Sequence, residues 1–329
     1  MGMNANNPLP RAVHASTDPK LFEFAELVGT TGPVGVEGGR SRWSTGGEPK
    51  PNTRLVRAPT GIVEYKADEM TVRVRTGTTV AELHTVLGQN GQQTALPQRQ
   101  PQSTVGGAIA VGENDLDMLA KGALRTCVLQ VRYVSADGKI ITGGGPTVKN
   151  VSGFDIPRLM VGSLGTLGLL GEVVLRTNPT PEVDVWLEGE LIDPFPLRYQ
   201  LASAACILWN GEQVWVHLTG HRGVVESDRA ILRSLASFNQ IDAPPALPPH
   251  RWSMPPKNLQ SLAGAAKASR GGTVPTGDFM ASVGTGLVWA NQQAPRRPLD
   301  PTVLEINQKL KANFDPTGRL NPGRNPSTR

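Results

Sequence analysis

Three glycine-rich segments carry the chemistry that is most visible in this chain. They are Gly38-Gly39-Arg40-Ser41, Ser103-Thr104-Val105-Gly106-Gly107 and Gly162-Ser163-Leu164-Gly165-Thr166-Leu167-Gly168. Where a side chain is missing, the backbone can come close to a ligand and aim successive N–H groups at anionic oxygens. Arg40 adds a charge to the first segment and Ser41 a hydroxyl donor. A tight turn explains any single Gly-Gly pair, but three such segments in strand-to-helix or strand-to-strand settings point to a backbone cradle. Neither common nucleotide loop is present: there is no G-x-G-x-x-G after an N-terminal strand and no G-x-x-x-x-G-K-[ST].

Other reactive residue types are sparse. His217 and His221 lie four apart, a spacing that suits a metal only on one helical face, and VWVHLTGH reads as a strand entering a turn. A surface role is expected for both, and no metal site. Cys127 and Cys206 sit in apolar contexts without a C-x-x-C spacing, as reduced core residues do. An iron–sulfur cluster needs about four thiolates, so this chain does not hold one alone. Glu37 is read as a salt-bridge partner of Arg40 or Arg42. Trp209, Trp215 and Trp289 are read as core, and Arg296-Arg297 as a solvated pair.

The elements that must position the cradle follow from periodicity. Lys20–Gly29 has helical spacing and a glycine stop. A short strand enters the first glycine turn within Gly32–Gly47, and Leu55–Arg57 and Gly61–Lys66 read as strands. Met70–Val80 alternates like a half-buried strand, and Thr79 caps a helix over Val80–Gly91. Thr94–Gly112 reads as a loop. Cys127–Ser135 and Lys139–Thr142 form a hairpin around Ala136-Asp137-Gly138. A helical core at Asp155–Met160 leads through the third glycine segment into the strand Gly171–Arg176. After a boundary at Pro179–Pro181, VDVWLEGEL and QVWVHLTG read as strands and RGVVESDRAILRSLASF as an amphipathic helix. Proline-rich Asp242–Pro256 reads as a linker, and Thr302–Asn313 as a last helix before FDPTGRLNPGR.

Composition bounds the class. The chain has 329 residues, 38% of them hydrophobic and 19% charged, which allows two packed lobes and excludes a disordered chain. Glycine at 37 and proline at 28 indicate many turns. A formal charge of +5 with no basic run argues against nucleic acid. MGMNANNPLPRAV lacks the apolar run of a signal peptide, and no stretch of 18 apolar residues occurs, so a cytoplasmic location is expected.

In their order, GGRSR, PQSTVGGAIAVG, KNVSGFDIPRLMVGSLGTLGLLGEVVLR and FDPTGRLNPGR resemble the vanillyl-alcohol-oxidase (PCMH-type) FAD-binding family. Within it the chain is most similar to FAD-binding E subunits of bacterial glycolate oxidases. The resemblance covers about Val34 to Pro179 and Thr302 to Arg324. It implies an α+β chain: an FAD-binding domain of two subdomains over 1–180, a reduced cap-like α+β lobe over 181–300, and a segment over 301–329 that returns to the flavin. Gly38, Gly39, Arg40 and Ser41 would wrap the FAD pyrophosphate. Pro101, Ser103, Thr104, Gly106, Gly107 and Ala110 would lie along the flavin and ribityl chain. Gly162, Gly165, Thr166, Gly168 and Leu170 would hold ribose and adenine by backbone contact, and Asn321 would reach the isoalloxazine edge.

The chain departs from that family in two ways. Relatives often carry arginine before the first glycine pair, whereas here Glu37 precedes it and Arg40 follows. Some attach flavin through a histidine in this loop; none of the five histidines lies there, so FAD should be dissociable. Catalytic residues are not identifiable, because the second lobe has no clear histidine–carboxylate set. The resemblance implies an electron-transferring subunit of a 2-hydroxy-acid dehydrogenase complex. Its partners would be a homologous FAD-linked catalytic subunit and an iron–sulfur subunit, with membrane contact only through them. A free-standing FAD-dependent dehydrogenase, a flavin-free scaffold and an NADPH-dependent enolpyruvyl-UDP-sugar-type reductase are the alternatives.

Overall fold

The computed structural model describes residues 18–98, 100–146, 155–191, 193–262, 278–294 and 300–328. Most of KNVSGFD and the Arg296-Arg297 pair lie outside these residues. The fold is mixed α+β, in two compact units. The first comprises Met1–Asn114, Leu124–Asn178 and Leu299–Arg329; the second comprises Asp115–Ala123 and Pro179–Pro298.

Five antiparallel strands centre the first unit. They run Ile62–Lys66, Thr71–Arg75, Leu169–Arg176, Val128–Val134 and Ile140–Gly144 in spatial order. Val72 and Val74 point to a core shared with Leu83 and Leu87 of the helix Val80–Gly88, while Arg73 and Arg75 point to the other face. That alternation is the pleat acting on a period-two sequence. Thr79 caps this helix through Glu82 N at 3.1 Å.

The helix Pro19–Val28 starts at the Asp18 cap and stops at Gly29, whose φ of 62° suits a residue without Cβ. It buries Leu21, Phe24 and Val28 with Val34 and Leu320. Val34–Val36 pairs in parallel with Arg54–Val56, and Val34 also bridges to Leu320, so chain near residue 320 completes the layer begun near residue 34. Arg319 holds this arrangement. It is 5% exposed, and its guanidinium donates to the carbonyls of Val28, Gly29, Thr31, Gly32 and Ala136 at 2.8–3.2 Å.

The stretch Thr94–Gly112, expected to be all loop, contains the helix Val105–Val111. Thr104 caps it, accepting from Gly107 N at 3.1 Å, and left-handed Gly112 ends it. Its sequence, VGGAIAV, has too few large apolar residues to show a helical stripe, and only Val105 and Ile109 are buried.

The second unit is a seven-stranded antiparallel sheet. Its strands run Phe238–Ile241, Val183–Glu190, Gln213–Gly220, Ala204–Trp209, Phe279–Ser282, Leu287–Ala290 and His250–Ser253 in spatial order. One face packs Val185, Ile207, Trp209 and Val216 against Val225 and Leu232 of the helix Arg222–Leu235. The other gathers Trp186, Cys206, Trp215, Met280 and Trp289 with Leu116. The three tryptophans and both cysteines are buried, as expected. The proline-rich linker needs correction: His250–Ser253 is an edge strand paired with Leu287–Ala290, and Trp252 is buried with Nε1 on Gln292 O. The prolines flank this strand rather than interrupt it, and an edge position asks for ladder bonds on one side only.

Candidate functional site

Within the first unit, the strand end at Val36, the turn Gly38–Thr45, the start of the helix Val105–Val111 and the stretch Asn321–Arg324 surround a cavity of about 120 Å³. Nine of the sixteen residues singled out in the sequence line it: Gly38, Gly39, Arg40, Ser41, Ser103, Thr104, Gly107, Ala110 and Asn321. Among the described residues, the amides of Gly38, Gly39, Arg40 and Ser41 donate to no protein acceptor. Four consecutive unpaired donors beside a cavity make a nest that an anion can fill. Ser103 Oγ donates to Ser41 Oγ at 3.0 Å, joining the first two glycine segments.

Charge in the cavity is balanced by carboxylates. Arg40 pairs with Glu37 at 3.1 Å, and Glu37 also takes Arg57 at 3.2 Å. The hydrogen bond from Arg40, helped by Arg57 and opposed by burial, holds the Glu37 carboxyl below the usual carboxylate range. Arg42 pairs with Glu113 at 3.2 Å. The guanidinium carbons of Arg40 and Arg324 each lie 4.7 Å from the centre of the Trp43 ring, within cation–π range. Arg324 also donates to the carbonyls of Trp43, Thr45 and Gly47, which fixes the turn's shape.

The remaining residues lie off the cavity. Pro101 is exposed in a turn. A Cβ on Gly106 would meet Thr76 Cβ at 2.8 Å, so this glycine allows a helix to pack on the turn after a strand. Gly168 lies against the Tyr133 ring, and Gly165 against the Asn321 side chain. Gly162 N donates to Ile109 O at 2.9 Å, and Thr166 Oγ1 to Ser163 O at 2.7 Å. Leu170 belongs to the sheet core, and its carbonyl accepts from Thr76 Oγ1 at 2.6 Å. The third glycine segment reaches the cavity through Leu164, whose N donates to Ala110 O at 2.9 Å.

Arg42, Trp43, Glu113, Leu164 and Arg324 line the cavity and were not singled out from the sequence. Arg324 had a signal, since it ends the NPGR tetrapeptide. Glu113 has none: it follows the helix Val105–Val111, whose sequence shows no helical stripe.

In the second unit, His217 differs from its expected surface role. It is 4% exposed and stacks on Trp186, with centroids 4.4 Å apart and planes 6° from parallel. Nδ1 lies 2.7 Å from Asp117 Oδ1, and Nε2 lies 2.7 Å from Asp184 Oδ1. Two carboxylate acceptors call for two N–H donors, which makes the ring an imidazolium. Burial opposes this charge, but the bonds to Asp117 and Asp184 outweigh it and the histidine pKa is raised. The sequence concealed this, because Asp117 is a hundred residues away and Asp184 sits on a neighbouring strand. Among the described residues no cluster of three metal-ligating side chains occurs.

The unpaired amides and the glycine turn make an anion-binding cradle. Residues 25–144 match a family model described as "FAD binding domain". The glycolate oxidase subunit GlcE of Escherichia coli is 27% identical over 92% of this chain and 95% of its own length. A D-lactate dehydrogenase of Archaeoglobus fulgidus is 32% identical over 45% of this chain but only 33% of its own length. The glycolate oxidase subunit GlcD of Bacillus subtilis is 34% identical over 37% of this chain and 26% of its own length. A solved structure of alkyldihydroxyacetonephosphate synthase aligns with a TM-score of 0.66 at 15% identity, over 88% of this chain and 71% of that one; it shows the shared fold.

Proposed function

We propose that this chain is the FAD-binding subunit of a glycolate-oxidase-like 2-hydroxy-acid dehydrogenase complex, where it holds FAD without a covalent bond. The extent of the likeness to GlcE carries this reading, because it runs through both units. The Archaeoglobus fulgidus D-lactate dehydrogenase and the Bacillus subtilis GlcD subunit are more identical but are matched over only 33% and 26% of their own lengths. A bound FAD supplies acceptance of a hydride's two electrons and their onward transfer. The chain's own residues bind and orient. Gly38, Gly39, Arg40 and Ser41 offer amides and charge to the pyrophosphate, and Ser103, Thr104, Gly107, Ala110 and Asn321 shape the wall beside the ring system. Gly106, Gly162 and Gly165 pack the elements that carry that wall, while Pro101, Thr166, Gly168 and Leu170 lie off the cavity. The lining supports non-covalent binding, since it contains no histidine or cysteine among the described residues.

Partner dependence has physical support in the second unit. Both ring nitrogens of His217 are committed to carboxylates, and His221 Nδ1 accepts from Gly223 N at a helix start. Neither ring is available as a base for a hydroxy acid. The partners in this reading are a homologous FAD-linked catalytic subunit and an iron–sulfur subunit, with a small 2-hydroxy acid as the complex's substrate. Its location would be cytoplasmic, peripheral to the inner membrane through the complex. Among the described residues no helix is long and apolar enough to cross a membrane.

Purification from the native host under mild conditions tests the reading. A second flavoprotein and an iron–sulfur protein should accompany the chain, and glycolate should bleach the flavin of the assembly but not that of the isolated subunit. Rapid, complete bleaching of the lone subunit by glycolate or lactate would replace it with a free-standing dehydrogenase.

A further inference from the structure

Arg40 is a cavity-lining cation within the run of unpaired amides, and three features fix its position. Its backbone is left-handed at φ 54°, a conformation that costs a residue with a Cβ roughly 1–2 kcal/mol. Its guanidinium rests on Trp43 and is bonded to Glu37. Strain at a non-glycine residue in a loop persists only where the surroundings hold it. Here the holding group is a carboxylate, immediately before a glycine pair whose amides are laid out for an anion. The guanidinium it holds belongs to a residue that lines the cavity beside those amides. Glu37 is the least exposed member of its trio, at 17% against 54% for Arg40 and 80% for Arg57.

We propose that Glu37 is a built-in competitor of the ligand diphosphate for Arg40, and so sets how tightly the cradle holds FAD. This rests on the FAD reading above. In the empty cradle Glu37 keeps Arg40 pointed along the loop. When a diphosphate enters, Arg40 turns to it, and Glu37 keeps Arg57 as partner rather than being left as an unpaired carboxylate. Affinity is thus held below what the amides and Arg40 would give together, and FAD remains exchangeable.

A titration cycle tests the exchange. FAD affinity is measured by flavin fluorescence for the full-length wild type, E37Q, R40A and E37Q/R40A, with thermal melting to verify that each variant folds. E37Q should bind FAD about two- to fivefold more tightly, the range for removing one partly exposed ion pair. R40A should bind less tightly, and adding E37Q to it should produce no further gain. ADP, which carries the diphosphate without the ring system, should show the same pattern as a competitor. Equal FAD affinity of E37Q and wild type would overturn the proposal. So would a gain that persists in the R40A background, because that would be plain repulsion between Glu37 and phosphate. A wild-type protein that binds neither FAD nor ADP would instead overturn the cofactor reading itself.

Discussion

The Asn321 side-chain amide donates to the Leu164 carbonyl at 2.6 Å, joining two positions 157 residues apart. Both ends are left-handed, with φ 45° at Asn321 and 52° at Leu164. Asparagine tolerates that region better than most residues, leucine poorly. Asn321→Ala should remove the bond, leave a buried carbonyl unpaired and cost about 1–3 kcal/mol. The melting temperature should fall, and FAD should dissociate faster because Leu164 forms part of the cavity wall. Unchanged melting and unchanged dissociation would mean that the bond holds nothing in place.

Arg319 should tolerate replacement less well than any arginine of the cavity. Arg319→Met keeps much of the stem and deletes the donors to five carbonyls, three of them in the turn that follows the helix Pro19–Val28. Val28 O keeps a bond from Arg54 Nη2, and each of the other four lost hydrogen bonds costs about 0.5–1 kcal/mol, so a loss of about 2–4 kcal/mol is expected in denaturant unfolding. Arg319→Lys should recover only part of it, since an ammonium cannot copy the planar fork.

The His217 pairing predicts a pH window. Its pKa is raised in the fold, so the stability it contributes is fully present below the unfolded value of 6.5 and is lost as pH rises through the folded value. Asp117 is shifted down: burial opposes the shift, but the bond to His217 and the charges of His217 and Lys121 prevail. Its contribution is present above 3.8 and is lost as pH falls through the lower folded value. The stability difference between wild type and His217→Phe should therefore be largest between about pH 4 and 6.5 and should shrink on the alkaline side. A difference that stays flat from pH 6 to 9 would show that the ring is not an imidazolium.

Two neighbouring glycines should fail in different ways. Gly106→Val drives a side chain into Thr76, which is 1% exposed, and should reduce folded yield. Gly107 lines the cavity, and its nearest obstacle is Thr104 Oγ1 at 3.0 Å from an added Cβ. Gly107→Val should fold and lose flavin, as measured by absorbance after desalting. If Gly106→Val gave a normal yield and merely lost flavin, its contact with Thr76 would be less tight than the geometry states.

The sequence was most legible where one physical rule acted alone. The helix Pro19–Val28 showed its period and its stop, and Thr71–Arg75 showed its alternation. Ala204–Trp209 is buried on both faces and so has no alternation to read. The glycine segments were visible as anion loops, yet Gly106 and Gly168 face other parts of the chain, because a missing Cβ serves backbone-to-side-chain contact as well as ligand contact. Glu113, Arg319 and Asp117 were hidden for one reason. Their partners lie 71 to 291 residues away, and no local pattern encodes such pairings.

Arg319 has a consequence for the order in which the protein is made. The first unit contains residues near both ends of the sequence, with Pro179–Pro298 of the second unit threaded between them. During synthesis the glycine turn at Gly38 and the helix it faces leave the ribosome early, while the guanidinium that ties the turn after Pro19–Val28 and the Asn321 amide emerge some 280 residues later. The cavity therefore cannot close until the stretch around Arg319 and Asn321 has been made, and flavin capture must wait for that stretch.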